Sequence, residues 1–212
     1  MNRMIRRVRL GFAALALCGL ASATVFAQQG KPAANEPVVE KAVIDAPIAE
    51  FKLADLTHEK KDGEKPGSDR IALSDYKDKK PVVLFFMSEQ CSVTWRYEKR
   101  FGQLKQKFGK DVAILGVRCS ANDTPKSICK FAESKNFVVP VLNDDAGKMT
   151  AYFGVHNTPS FVLIDKKGAF RYFGSFDDAP DEAAVKHRFL PDAIDAVLTD
   201  KVVAVKQTRP FG

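Results

Sequence analysis

Cys91 has the clearest chemical potential in this sequence, because it follows a predicted buried strand and opens a predicted helix. The apolar run Val82–Met87 predicts a strand buried on both faces, and the polar residues 88–90 end it. Apolar residues then recur at helical spacing and predict one continuous helix: Val93, Tyr97, Phe101, Leu104 and Phe108. Unpaired N–H groups and the positive end of the dipole at a helix start stabilise a thiolate, the nucleophilic form of cysteine. A cysteine that merely fills space in the core is the alternative, and the position of Cys91 off the apolar stripe argues against it.

Thr94 lies one helical turn after Cys91 in the segment Cys91-Ser92-Val93-Thr94. From this position its hydroxyl is placed to hydrogen-bond the sulfur and favour the thiolate. The alternative is a first-turn residue with no special role. We count Cys91 and Thr94 as candidate catalytic residues.

The stretch from Pro47 to Phe176 resembles the thioredoxin-like redoxins of the alkyl hydroperoxide reductase/thiol-specific antioxidant group. The resemblance rests on the strand, cysteine and helix described above and on Thr158-Pro159, which directly precedes the apolar run Ser160–Ile164. It implies an α/β thioredoxin-like fold, a single domain with a central mixed β-sheet flanked by helices. It also implies a cis Thr158–Pro159 bond in a loop that faces Cys91 and binds an extended substrate chain through its backbone.

One departure from the family concerns the second redox thiol. Its oxidoreductases carry Cys-x-x-Cys, whereas Thr94 stands here in the second position and cannot form a disulfide. The resemblance suggests Cys129 as a resolving thiol, because some peroxidases of the family place that cysteine in the corresponding helix. The alternatives are a Cys119–Cys129 disulfide or two buried thiols, and sequence separation does not decide between them.

The remaining patterns predict the elements around these residues. Two short strands near 51–56 and 71–73 are expected to be joined by a polar loop, and residues 112–117 predict a second buried strand that runs parallel to the first. Further predicted elements are helices at 124–135, 149–153 and 191–199, a strand at 138–142, and a hairpin of 160–164 with 169–173.

The first 27 residues have the pattern of a signal peptide, with four arginines, an apolar stretch from Leu10 to Leu20, and small residues before a cleavage point after Ala27. We predict export to the periplasm or the extracellular space, the alternative being an uncleaved membrane anchor. Residues 28–46 are expected to be a flexible linker, 47–200 the redoxin domain and 201–212 a C-terminal tail.

The charge of the chain excludes some classes of partner. The net charge of +7 falls to +3 without the signal segment, since 29 basic residues then face 26 acidic ones. We therefore expect no nucleic-acid partner, and no membrane contact beyond the signal segment. The three histidines are scattered and no Cys-x-x-Cys pair exists, so we expect no metal and no cofactor.

Three functional hypotheses remain open. The first is an exported thiol–disulfide oxidoreductase that uses Cys91 as nucleophile, with a protein or small-molecule disulfide or thiol as partner and an external thiol as reductant. The second is a peroxidase, with Cys91 peroxidatic, Cys129 resolving and a peroxide as substrate. The third is a non-catalytic binding module. The first is favoured, because the family's peroxidases have an arginine where Thr158-Pro159 stands here, and because Ser88 replaces the threonine of their Thr-x-x-Cys signature.

Overall fold

The structure is a computed structural model, and it describes residues 41–57 and 69–211. The predicted signal peptide and most of the predicted linker lie outside these residues. Within them, no helix combines the length and the apolar character needed to cross a membrane.

Five strands form the central sheet in the order β5-β4-β3-β6-β7. Strand β3 pairs in parallel with β4 and antiparallel with β6, β4 pairs in parallel with β5, and β6 pairs antiparallel with β7. The predicted parallel pair and the mixed sheet are therefore confirmed. The strand bounds are Val82–Met87 for β3, Ala113–Arg118 for β4, Val141–Asn143 for β5, Ser160–Ile164 for β6 and Phe170–Gly174 for β7.

Strands β1 (Lys52–Ala54) and β2 (Arg70–Ala72) form a separate antiparallel pair. The described residues also contain five α-helices: α1 Ser92–Trp95, α2 Glu98–Phe108, α3 Pro125–Ser134, α4 Lys148–Tyr152 and α5 Phe189–Leu198. The strand predicted at 138–142 begins only at Val141. Pro140 has no N–H to donate and enters the ladder solely as an acceptor for Gly116.

Strand β3 lies between two apolar cores, and all six of its residues are buried. Val83, Phe85 and Met87 face a core that also contains residues of α2, α3 and α5. Their neighbours Val82, Leu84 and Phe86 face a second core, which contains residues of α4 and the start of the domain. Successive side chains of a strand point to opposite faces, so a continuous apolar run serves both cores.

The prediction of a single helix after Cys91 is wrong. The structure has two helices there, α1 and α2, separated by Arg96 and Tyr97. Arg96 N–H bonds to Val93 and Tyr97 N–H bonds to Thr94, three residues back, where an α-helix bonds four back. The stripe nevertheless faces the core, since Tyr97, Phe101, Leu104 and Phe108 are all buried. Periodicity located the buried face and missed the tight turn.

Both ends of the described chain pack on the domain more closely than expected for a linker and a tail. The amide of Ala42, within the predicted linker, donates to Tyr152. Asp45 forms ion pairs with Arg171 and Lys206. Residues 206–208 run beside β7, where Phe173 N–H donates to Lys206 and Thr208 N–H donates to Phe173. Residues 42–46 and 206–208 are thus part of the ordered domain, and the boundaries predicted at 47 and 200 need correction on these contacts.

Gly174 provides a test of this C-terminal packing. Its φ of 152° is unfavourable for other residues, and a Cβ there would collide with the Thr208 hydroxyl and approach Thr208 N to 2.9 Å. We expect Gly174→Ala to lower the free energy of unfolding by about 2 kcal/mol or more. Gly102→Ala is the matched control, because it lies inside α2 with no atom within 4 Å of the added Cβ. The control should raise stability by about 0.5–1 kcal/mol in denaturant titrations. Equal effects of the two substitutions would contradict a close-packed tail.

Candidate functional site

Cys91 is the N-cap of α1 and lies on the turn that follows β3. Its N–H donates to the Ser88 carbonyl at 3.3 Å, which closes the turn. Its thiol is partly buried and donates to the carbonyl oxygen of Thr158 at 2.8 Å. The structure therefore brings Cys91 and the Thr158–Pro159 loop together. Thr158 is partly exposed, Pro159 is buried, and the peptide bond between them is cis.

Thr94 is the third residue of α1 and is fully buried. Its hydroxyl has no hydrogen-bond partner among the described residues while Cys91 is a neutral thiol. A buried hydroxyl without a partner is costly, so it is available to the sulfur once the thiol ionises. The catalytic role of Thr94 stays a prediction.

The environment of Cys91 sets its acidity through opposing effects. Burial raises the pKa of the Cys91 thiol, and interactions with the side chains of Thr158 and Thr94 and with the N–H groups of Thr94 and Val93 lower it. The thiol's own bond to the Thr158 carbonyl favours the protonated form, since only the thiol can donate it. The net pKa lies below the ordinary value for cysteine. Because α1 has only four residues, the stabilisation comes from these nearby donors and little from a helix dipole.

The other two described cysteines have the opposite character. Burial raises the pKa of Cys119 to about 12, helped by the carboxylates of Asp123 and Asp144. Burial also raises the pKa of Cys129. Cys91 is therefore the one thiol among these three whose surroundings favour the thiolate.

No disulfide joins Cys129 to Cys91 in the structure. The Cys129 thiol lies 3.4 Å from the carbonyl of Leu56, whose N–H bonds to Val141 at the outer edge of β5. Cys119 follows β4 with its thiol directed towards the Met87 carbonyl at 3.6 Å. All three cysteines are free thiols.

Asp123 supports the turn that carries Cys91, a role that the sequence analysis missed. Its buried carboxylate accepts from the Ser88 hydroxyl at 3.2 Å and from Glu89 N–H at 3.3 Å. The Ser88 hydroxyl in turn accepts from Gln90 N–H. An Asp before a helix is a common capping residue, so its position along the chain does not indicate that Asp123 reaches across to another loop.

Arg118 supports the same region by hydrogen-bonding to the loops around it. It is buried at the end of β4, and its guanidinium donates to the carbonyls of Ser120 and Asp123 and to the side chains of Asn143 and Asp145. An Arg side chain provides five N–H donors in a fixed plane, which suits it to link several loops. Together, Asp123 and Arg118 join the loops after β3, β4 and β5 at the C-terminal ends of these strands, next to Cys91.

Comparison with known proteins identifies the family. The model of the AhpC/TSA family matches residues 44–173. The chain belongs to this family, which confirms the resemblance found in the sequence. No match to a curated protein was found.

Solved structures confirm the thioredoxin-like fold. A hypothetical protein from Sinorhizobium meliloti has 22% sequence identity and a TM-score of 0.67, with 82% of this chain and 93% of that chain covered. Peroxidoxin BcpB from Mycobacterium tuberculosis has 22% identity and a TM-score of 0.55, with coverages of 74% and 97%. A secreted disulfide oxidoreductase of M. tuberculosis, homologous to E. coli DsbE, has 19% identity and a TM-score of 0.51, with coverages of 69% and 95%. At these identities the likeness is one of fold.

Thr94→Val tests the origin of the acidity of Cys91. The substitution removes the hydroxyl and keeps a branched side chain, so the pKa of Cys91 should rise and its alkylation by iodoacetamide should require a higher pH. The parent should show a midpoint below about 8.5, the value of an unperturbed thiol. Stability should not fall, and loss of a buried unpaired hydroxyl should raise the free energy of unfolding by about 1 kcal/mol. A parent midpoint at or above 8.5, or an unchanged midpoint in the variant, would contradict this account.

Proposed function

We propose that this protein is an exported thiol–disulfide oxidoreductase whose redox nucleophile is Cys91. The observation that carries the proposal is the contrast among the described thiols: the pKa of Cys91 is lowered, while those of Cys119 and Cys129 are raised. Attack on a disulfide requires a thiolate that is accessible, and Cys91 meets both conditions. The signal-like first 27 residues support the assignment to an oxidising compartment, where disulfides persist.

The reaction proceeds by exchange of one disulfide for another. The Cys91 thiolate attacks one sulfur of the partner's disulfide, the S–S bond of the partner breaks, and a Cys91–partner bond forms. The released sulfur leaves as a thiolate and takes up a proton from solvent. A second thiolate then attacks the mixed disulfide, displaces Cys91 as a thiolate and forms a new disulfide with the partner's sulfur. No electron carrier other than sulfur is needed.

Thr158 and Pro159 are proposed to position the partner chain. The Thr158 carbonyl accepts from the Cys91 thiol at 2.8 Å, so a partner cysteine that reaches Cys91 passes beside this loop. On ionisation of Cys91 the carbonyl loses its S–H donor and becomes free to accept a backbone N–H of the partner. Backbone pairing of this kind would hold an extended segment while its side chains set the selectivity.

The thiol that completes the cycle is proposed to be external. Thr94 occupies the position from which a second cysteine would act, and Cys129 lies at the far edge of the sheet beside Leu56. A Cys91–Cys129 bridge would require α3 to leave its place on the core, where Ile128 is fully buried. An external thiol needs no such movement.

A peroxidase is the second candidate, and membership of the AhpC/TSA family is the observation that favours it. In that case peroxide would oxidise the Cys91 thiolate to a sulfenic acid, with release of water, and a second thiol would condense with it. The interactions that most lower the pKa of Cys91, however, come from neutral groups. Arg100 is paired with Asp177 and Arg118 with Asp145. The oxidoreductase therefore remains the proposed function.

Mild oxidation of the mature protein with glutathione disulfide, followed by non-reducing mass spectrometry, tests the proposal. We expect a glutathione adduct on Cys91, and none in a Cys91→Ser control. A Cys91–Cys129 linkage would contradict external resolution and favour the peroxidase. A Cys119–Cys129 linkage with Cys91 unmodified would make those two cysteines structural and would favour the non-catalytic module.

Thr94→Cys tests whether the absence of a second thiol governs the lifetime of the adduct. Thr94 is one turn from Cys91, so the introduced thiol should displace glutathione and form an internal disulfide with Cys91. The glutathione adduct should then become a minor species, while Thr94→Ser keeps the parent level. Persistence of the adduct at the parent level in Thr94→Cys would show that position 94 does not reach the mixed disulfide.

A further inference from the structure

Trp95 is a large exposed side chain beside the redox cysteine. It is the sole tryptophan of the sequence, it ends α1 one turn after Cys91, and it is 48% exposed. Residues four apart on a helix are surface neighbours, so the indole borders the site. The other large apolar side chains with high exposure lie on other segments: Val43, Val138, Leu198, Val202 and Val205.

The indole is already held in place by the redox turn. Its Nε1–H donates to the carbonyl of Glu89 at 2.9 Å, two residues before Cys91. Its only polar group is thus satisfied within the protein, and what it offers to solvent is the apolar ring. An aromatic side chain fixed in advance loses little entropy when a partner packs on it, which is typical of residues that dominate protein interfaces.

Lys135 restricts the kind of partner side chain that the Trp95 ring can bind. Its ammonium lies over the Trp95 ring, 5.5 Å from the centroid, and therefore occupies the place where a partner's cation would bind. A second cation at the ring would be repelled by the first. The exposed part of the indole is suited to an apolar or aromatic side chain.

The main cavities of the described residues lie away from the redox site. Cavities of about 750, 450 and 20 Å³ lie in the described part of the chain, and neither Cys91, Trp95 nor Thr158 lines any of them. Small molecules are usually bound in concave sites that bury most of their surface. An exposed aromatic ring beside a nucleophile, outside these cavities, fits the side chain of a polypeptide.

We propose that Trp95 is the docking platform for a protein disulfide, and that it selects partners with an apolar or aromatic residue next to the reacting cysteine. The proposal rests on the proposed function, since it assigns the substrate class of the same site. The partner segment would lie between the Thr158 carbonyl and the indole, with its cysteine at Cys91. Trp95 thereby acts as a specificity residue and takes no part in the exchange of sulfur atoms.

A binding measurement that needs no thiol chemistry tests the platform directly. Two synthetic peptides carry serine in place of the central cysteine and differ only in having phenylalanine or serine beside it. Because Trp95 is the sole tryptophan, its fluorescence in the full mature chain reports the site alone. We expect the phenylalanine peptide to change the emission and to bind about 2- to 10-fold more tightly than its serine counterpart, the range expected for one aromatic pair. No difference between the peptides would overturn the proposal, as would emission that depends on the protein's own concentration, which would make Trp95 a contact between two copies.

An exchange measurement separates this proposal from the proposed function. The same peptides, now with the central cysteine joined to thionitrobenzoate, release coloured thiolate when Cys91 attacks. The parent and Trp95→Phe should react about 2- to 10-fold faster with the phenylalanine peptide, and Trp95→Ala should lose this preference. Val202→Ala, which removes an exposed apolar side chain on the C-terminal segment, should keep it. Ellman's reagent, a small disulfide, should react equally with all four proteins.

The outcomes of the two measurements are distinct. If Trp95→Ala keeps the preference while Cys91 reacts normally, the platform is refuted and the oxidoreductase stands. If Cys91 fails to react with Ellman's reagent in every protein, the proposed function is refuted, and the fluorescence titration still decides whether Trp95 binds the phenylalanine peptide.

Discussion

The burial of β3 on both faces is the constraint on which the site depends. Its six residues fill two cores at once, so neither its register nor its end can shift without exposing apolar side chains on one face or the other. The chain must therefore leave the sheet at Ser88, and Cys91 follows at a fixed distance beyond that edge. Strand β6, paired antiparallel with β3, begins at the same edge, which is why Thr158 meets the Cys91 thiol. In this way the buried strand β3 positions the Cys91 thiol, which is itself only partly buried.

The reactivity of Cys91 is a balance between desolvation and nearby donors. Burial penalises a thiolate, and the same burial makes each remaining hydrogen bond to sulfur stronger because little water competes. Cys119 shows the other result of that balance, since it is buried beside the carboxylates of Asp123 and Asp144 and the pKa of its thiol rises to about 12. Two cysteines at the ends of adjacent strands thus differ in acidity through the groups that face them.

The hydrogen bonds accepted by Asp123 explain how the turn before Cys91 keeps its geometry. Turn residues usually gain little from burial, but here the Ser88 hydroxyl and the Glu89 N–H bond to a carboxylate that is itself buried, and Arg118 holds the backbone of Asp123. The Glu89 carbonyl in turn fixes the Trp95 ring. Cys91 and Trp95 therefore lie on and beside the same turn, which these hydrogen bonds hold in place.

The sequence by itself determined the buried strand, the cysteine at its end, the family and the existence of helices α3 and α5, which it predicted at 124–135 and 191–199. These features depend on local spacing of apolar residues and on short motifs. It did not reveal the break between α1 and α2, since the apolar stripe continues across the turn. Nor did it reveal the packing of residues 42–46 and 206–208, whose partners are up to 161 positions away. The support of the turn by Asp123 and the exposure of Trp95 were decided only by the tertiary structure. Each depends on which strands become neighbours, and residues distant in the chain acquire contacts only when the sheet closes around β3.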